Sequence, residues 1–535
     1  MIDLENSQLS SSHGITIESL PMDILHRIAC WCHPKDLTQL VMASKFFIPI
    51  RTELFATRKT LILQNSTNEN ELSNFLKVND NLQSVKFQNC DFHFHLLQRF
   101  KNLRQLCITL EKKGHICPLE SLSELEILIL NENQIKDISS LEALVKIQEL
   151  HLDWNYIVDI SPLASLVHLQ HLSLESNQIV DVSPLASLIN LEKLILKDNR
   201  IMDISPLESL INLEVLNLDL NQLVDVSPLA SLINLKKLNL GGNEIADIVD
   251  VTPFASLINL EQLYLCENKI VDVSPLVSLI NLEKLNLNSN EIVDISPLES
   301  LTQLKKLHLY QNYKFSISPL ESLINLTSLD LSLIPLFDIS PLASLINLRK
   351  LRLTANKIVD VSPLSSLINL RKLWLDSNQI VNISPLASLT NLRELLLHSN
   401  KIVDISSLAS LINLYDLYLN SNHIVDISPL ASLINLERLR MHSNQIVDIS
   451  SLAYLIKLND LSLKSNQIVD VTALASLLAL EELNLRDNEI VSVSPLSSLT
   501  NLKHLDIEWN PIIDKYTLDC LYDCAIIYPN CNYDE

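Results

Sequence analysis

Leucine and isoleucine recur along most of the chain in one short pattern, L-x-x-L-x-L, closed a few residues later by an asparagine. The alternation within it predicts a strand of only a few residues, with its leucines on the covered face. The asparagine stands at 133, 155, 177, 199, 221, 243, 268, 290 and 312, then at 356, 378, 400, 422, 444, 466, 488 and 510. Steps are 22 residues, apart from one of 25 between Asn243 and Asn268 and a missing beat at Ile334. Eighteen units share this register. Two degenerate ones precede them, on Leu103, Leu106 and Ile108 and on Leu82, Val85 and Phe87. A fixed period of this length predicts a stack of small units, none of which buries its apolar face without neighbours.

One unit runs from Leu169 to Asn190, LQHLSLESNQIVDVSPLASLIN. Its asparagine side chain is expected to satisfy backbone groups in the turn after the strand, giving a ladder of amides. Ser-Pro is expected to open a short helical turn, with serine as cap and proline at the first position. The unit resembles the leucine-rich-repeat family, in the 22-residue class of internalins and of a regulatory subunit of a Ser/Thr phosphatase. The resemblance implies an α/β solenoid, a horseshoe or arc with a parallel inner sheet. The repeat array spans 103–510, after a cap with a degenerate first repeat at 61–102. A C-terminal cap at 511–535 resembles those of this class in Asn510, Pro511 and Ile512 and in Tyr528, Pro529 and Asn530. Two irregularities are expected: a bulge of three extra residues near Ala246–Val251, and a break of the ladder at Ile334-Pro335, which offers neither amide nor N–H.

Before the repeats the period changes. After a polar N-terminus at 1–14 that is expected to be disordered, residues 19–47 read SLPMDILHRIACWCHPKDLTQLVMASKFF. Pro21 begins a helix whose positions 24, 25 and 28 share a face, and Pro34 begins a second with Leu37, Leu40 and Val41 inward. A third follows from about Ser44. This resembles an F-box, on Leu20, Pro21, Ile24, Leu25, Ile28, Pro34, Asp36, Leu37, Leu40, Ser44, Lys45 and Phe47. The resemblance implies a three-helix module over 15–60 that binds the Skp adaptor of a cullin-type ubiquitin ligase through Leu20, Pro21, Ile24, Leu25, Ile28, Leu37 and Leu40. It departs from the family in lacking a tryptophan near 50–58, where Leu54 or Phe55 stands instead. The other reading of this segment is a helical cap over the first repeat.

Composition agrees with repeats: 47% hydrophobic residues, 5% aromatics and four glycines in 535 residues. The net charge of −23 is mostly architectural, since fifteen acids are Asp at one repeat position from Asp137 to Asp514. The acidity argues against nucleic acid, which needs a basic track. The polar, acidic start carries no signal-peptide pattern and no apolar run spans a membrane. The expectation is a cytoplasmic chain (or nuclear, or in a host cytoplasm), monomeric by itself. Nine cysteines there read as free thiols.

No catalytic constellation separates from the repeats. There is no glycine-rich phosphate loop, and serine recurs in every unit, so no serine–histidine–acid set stands apart. Cys520, Cys524 and Cys531 match no common zinc spacing and read as cap residues. Cys30 to His33 read as helix core and turn, because successive helical side chains point apart. No enzyme activity, cofactor or metal is expected.

The chain supplies its own comparison of units. SPLASL recurs at 161, 183, 227, 340, 384 and 428, whereas variation concentrates six, four and two residues before each asparagine, where strand side chains face outward. A ligand would touch these positions. Lys306, His308, Tyr310, Lys350, Arg352, Lys372 and Trp374 make a central group, and Tyr418, Arg438, Arg440 and His442 a later one. Exposed Trp, Tyr and Arg most often anchor interfaces. The central group is expected to take protein cargo with acidic groups, its charge tempered by Asp330 and Asp376. The leading expectation is a ubiquitin-ligase substrate receptor; the alternative is a scaffold or regulatory subunit, for example of a phosphatase.

Overall fold

The computed structural model describes residues 60–64, 83–90, 102–110, 119–245, 252–519, 521 and 524–527. The segment 15–60 with its adaptor residues Leu20, Pro21, Ile24, Leu25, Ile28, Leu37 and Leu40 lies outside them, save Thr60. The chain divides into two units, Met1–Gln222 and Leu223–Glu535.

In the first unit the strands Thr60–Gln64, Ser84–Cys90 and Gln105–Leu110 lead into three-residue strands from Ile127–Ile129 to Val215–Asn217. Each pairs in parallel with the next. The second unit repeats the arrangement from Lys237–Asn239 to Ala525–Ile527. The register advances by one repeat per strand, so Lys350 faces Lys372 and Arg352 faces Trp374. Parallel sheets are ordinarily covered on both faces. Here only the central leucine of each strand points to a covered side, as in Lys350–Arg352. The other side is polar and open.

The core is built from one repeat's leucines against the next. In the repeat around Leu351, the side chains of Leu348, Leu351, Leu353, Ile358, Val361, Leu364 and Leu367 are fully buried. Burying each contributes about 1.5–3 kcal/mol before entropy is counted. A short 3-10 helix closes most of the described repeats, as at Ser340–Ser344 and Ser362–Ser366.

The asparagine ladder is present in detail. Asn378 Nδ2 donates to the carbonyls of Leu353, Leu375 and Asp376 at 2.9, 3.0 and 3.2 Å, and its Oδ1 accepts the Ile358 N–H at 3.1 Å. One amide thus satisfies backbone groups of two successive turns, which a buried turn requires. The residue before it adopts a left-handed conformation, φ 57° at Ser377. Glycine fills that position at Gly242, while Leu220, Leu333 and others carry the Cβ at a cost.

The helical turn is capped differently from the expectation. The serine hydroxyl is not the cap; Asp181 two residues earlier accepts the Ser183 N–H on Oδ1 at 2.8 Å and the Ser183 hydroxyl on Oδ2 at 3.0 Å. The repeated aspartate, one residue ahead of the N-cap, therefore satisfies the first N–H of the turn, and these hydrogen bonds hold carboxyls such as Asp203 and Asp360 below their usual range.

Ala246–Val251 falls outside the described residues, but its borders locate the insertion. Ile245 donates to Asn268 across 23 residues, where other repeats span 20. A short α-helix, Thr252–Ala255, stands in place of the 3-10 turn. At Ile334 the rung is missing, and the turn before it is rebuilt. Lys314, at a position where neighbouring repeats bury isoleucine, is exposed, and Phe315 is 6% exposed. The rungs on either side, Asn312 and Asn356, keep their backbone bonds. At the C-terminal end the 3-10 turn Lys515–Leu518 buries Leu518, and Ala525–Ile527 adds a last strand beside His504–Asp506.

Candidate functional site

The open face of the second unit carries the variable columns. Each strand presents its first and third residues there, because its central leucine is committed to the core. The first column reads Lys306, Ser328, Lys350, Lys372, Glu394, Asp416, Arg438 and Asp460 in register. The third reads His308, Asp330, Arg352, Trp374, Leu396, Tyr418 and Arg440.

In the centre, the two flanking strands close on Trp374. The Arg352 guanidinium lies 3.8 Å from the centroid of its ring, and Lys350 Nζ lies 5.4 Å from it. Trp374 Nε1 donates to Glu394 Oε1 at 2.6 Å, and Lys372 Nζ donates to the other oxygen at 2.5 Å. Arg352 also reaches Asp330 at 3.3 Å. Its Nε is buried with no hydrogen-bond partner, an orphan donor of the kind that marks a strained or functional spot. On the next position, Thr354 donates to Asp376 at 2.8 Å and His398 lies 3.5 Å from the same carboxylate. Lys306 is exposed, while His308 and Tyr310 are half-buried. Among the described residues Lys306 and Lys350 have no carboxylate partner.

Local charge shows in the titrating groups. Burial and the neighbouring Arg352 and Lys372 push the Lys350 ammonium down. The hydrogen bond to Glu394 pushes Lys372 up. Burial pushes His308 down against the pull of Asp330, with Arg352, Lys350 and Lys306 adding to burial. The charged form of His308 is thus disfavoured amid a small surplus of cations.

The later group is built otherwise. Arg438 grips Asp416 through two hydrogen bonds, and Asp416 is only 3% exposed. Arg440 reaches Asp460 at 2.8 Å and lies 5.4 Å from the Tyr418 ring centroid. His442 stays close to Ser443 at 3.3 Å, its pKa lowered by burial and then by Lys464 and Arg440.

The sequence expectations do not include Glu394, Asp416 and Asp460, the carboxylates that hold Lys372, Arg438 and Arg440. The signal for the first two is a spacing of 22 residues, which the parallel register turns into direct contact; Arg440 and Asp460 stand 20 apart and meet diagonally across adjacent strands. Among the described residues no group of His, Cys, Asp and Glu could hold a metal ion. Among the described residues, Cys107, Cys266 and Cys524 form no disulfide. No described helix is long and apolar enough to cross a membrane.

Comparison with known proteins bears on the repeats. A family model for leucine rich repeats matches residues 123–165, 167–209, 189–231, 211–256, 233–278, 280–322, 346–388, 390–432 and 479–519. No curated protein matches. Among solved structures, the internalin InlF from Listeria monocytogenes is 29% identical over 68% of this chain and 88% of its own, with a TM-score of 0.41. The plant peptide hormone receptor RGFR1 is 20% identical over 87% of this chain and 89% of its own, with a TM-score of 0.62. The functional domain of InlJ from Listeria monocytogenes is 21% identical over 73% and 76%, with a TM-score of 0.54. The repeat, its asparagine ladder and a family match over more than half of the sequence give one answer: the chain belongs to the leucine-rich-repeat family.

Proposed function

We propose that the chain is a protein-binding receptor. The open strand face around Arg352 and Trp374 holds the cargo, and residues 15–60 attach the chain to a Skp-type adaptor of a cullin ubiquitin ligase. The observation that carries the first part is the contrast between faces. The outer turns repeat almost unchanged, whereas the strand positions vary and assemble tryptophan, arginine and lysine into one supported cluster. Buried Glu394 and Asp330 hold that cluster in place, so its binding would cost little ordering entropy. RGFR1, which shares the fold, is solved in complex with RGF2. The second part rests on the residues of the F-box resemblance, Leu20 to Phe47.

Capture by a purified Skp adaptor tests the attachment, using the intact chain, a chain lacking residues 1–60, and Leu20→Ala with Pro21→Ala. The intact chain is expected to be retained and both variants lost, with circular dichroism of the repeats unchanged, because the repeats stabilise one another. If the double variant is retained as well as the intact chain, the adaptor role fails. The reading is then a scaffold or regulatory subunit that uses the same strand face.

A further inference from the structure

Along one edge of the second unit, before the strands begin, runs a groove of about 920 Å³ from Gln303 to Lys457. It is separate from the columns around Trp374. Each repeat contributes two residues to it: the asparagine of the S-L-I-N segment and the residue two places later, just ahead of the strand. Beside the asparagines stands a ridge of exposed isoleucines, with Ile346 and Ile368 51% and 53% exposed.

The pre-strand column changes sign abruptly. It reads Glu261 and Glu283, then Lys305, Thr327, Arg349, Arg371, Arg393 and Tyr415, then Glu437, Asn459 and Glu481. Lys305 is tied to Glu283. Arg349, Arg371 and Arg393 lie on adjacent repeats, are exposed, and have no carboxylate partner among the described residues. Three unpaired arginines in a row are a departure in a chain of net charge −23. The asparagines beside them are oriented. Asn369 Nδ2 donates to the Ile346 carbonyl at 2.9 Å and Asn391 Nδ2 to Ile368 at 2.9 Å. Each Oδ1 is left as an acceptor, with no protein donor among the described residues.

We propose that this edge is a second recognition surface, which takes an acidic peptide segment in extended conformation. Arginine suits carboxylates because its planar donors can engage both oxygens. Neighbouring strands lie about 4.8 Å apart, so three arginines cover about 10 Å, the reach of four extended residues. Two carboxylates at alternate positions face the arginines. The peptide N–H groups find the asparagine Oδ1 atoms, and intervening apolar side chains lie on the isoleucine ridge. Glu283 and Glu437 at the borders reject a longer acidic run. A single-stranded nucleic acid fits less well, since it needs a platform of aromatic rings and Tyr415 is the aromatic residue of this groove.

The test is fluorescence anisotropy with the full chain and a labelled twelve-residue peptide in which Glu alternates with Val. The triple variant Arg349→Glu, Arg371→Glu, Arg393→Glu is expected to weaken binding by about tenfold or more, with a loss that shrinks as salt rises. The triple change to Gln, which keeps size and polarity, is expected to fall between. Trp374→Ala on the open face is expected to leave the peptide affinity unchanged. No binding by the wild type at millimolar peptide, equal binding by the Gln triple, or tighter binding of an oligothymidylate than of the peptide would each overturn the proposal.

Discussion

Two neighbouring stretches of the open face carry the same residue types and use them differently. On the strands Lys306–His308 to Lys372–Trp374, the cations outnumber the carboxylates they touch, and Arg352 lies against an aromatic ring. On the strands Asp416–Tyr418 and Arg438–Arg440, each arginine is matched by an aspartate one repeat away. The second arrangement satisfies itself and leaves little for a ligand. The first has surplus charge and an anchor held from below. An arginine in a variable column is therefore a binding residue or a structural one according to whether the carboxylates within reach on adjacent strands balance the cations around it.

The sharpest way to break this contrast is stability. Arg438→Ala strands the buried Asp416 and is expected to cost about 2 kcal/mol, less than a fully buried pair because water can reach Arg438. Lys350→Ala is expected to cost less than about 0.5 kcal/mol. Equilibrium urea unfolding of both variants decides, and equal losses would erase the distinction. Binding comes next. Lys350→Glu with Arg352→Glu should weaken cargo capture about tenfold, more at low salt, whereas Arg440→Gln should change it less than about twofold. Identical cargo recovered with wild type and double reversal would move the site elsewhere.

A smaller effect is expected to be the same in both stretches. Ser377 and Ser443 both have φ 57°, so replacing either with glycine relieves the left-handed strain and should stabilise by about 0.5 kcal/mol. Unequal shifts in the unfolding midpoint would show that the two turns are not equivalent. The smallest effect concerns pH. His308 has a lowered pKa because the fold disfavours its charged form. Its contribution to stability is intact at neutral pH. It declines as pH falls below the ordinary histidine value, about 6.5, until the lowered pKa is passed. His308→Gln should flatten that part of the stability profile, as read from unfolding midpoints at successive pH values.

Much of the fold was legible because period and burial are linked one to one. A leucine at each inward position leaves no other surface to bury, and an asparagine at each turn has backbone groups within reach. The sequence points to serine as the cap because both Ser and Asp suit a helix start, and only the backbone path shows that the Asp181 carboxylate is the side chain that reaches the N–H of Ser183. The insertion after Ile245 and the missing rung at Ile334 were visible as breaks in period. The exchange of Lys314 for Phe315 in the core was not, since it depends on how the turn relaxes without its amide. The basic edge does not stand out in the sequence, because Arg349, Arg371 and Arg393 lie just ahead of the strands and not at the outward strand positions that vary most openly.

The sequence by itself determined the repeating unit, its strand and turn, its buried leucines and the residues that vary, because each of these follows from positions within about one repeat. Only the tertiary structure decided which charges meet. A parallel register places residue i beside i+22, so Lys372 closes on Glu394 and Arg438 on Asp416, while Lys350, Arg349 and Arg371 stand with no carboxylate partner among the described residues. Pairing across repeats is a property of register and side-chain reach, and these exist only once the units are stacked.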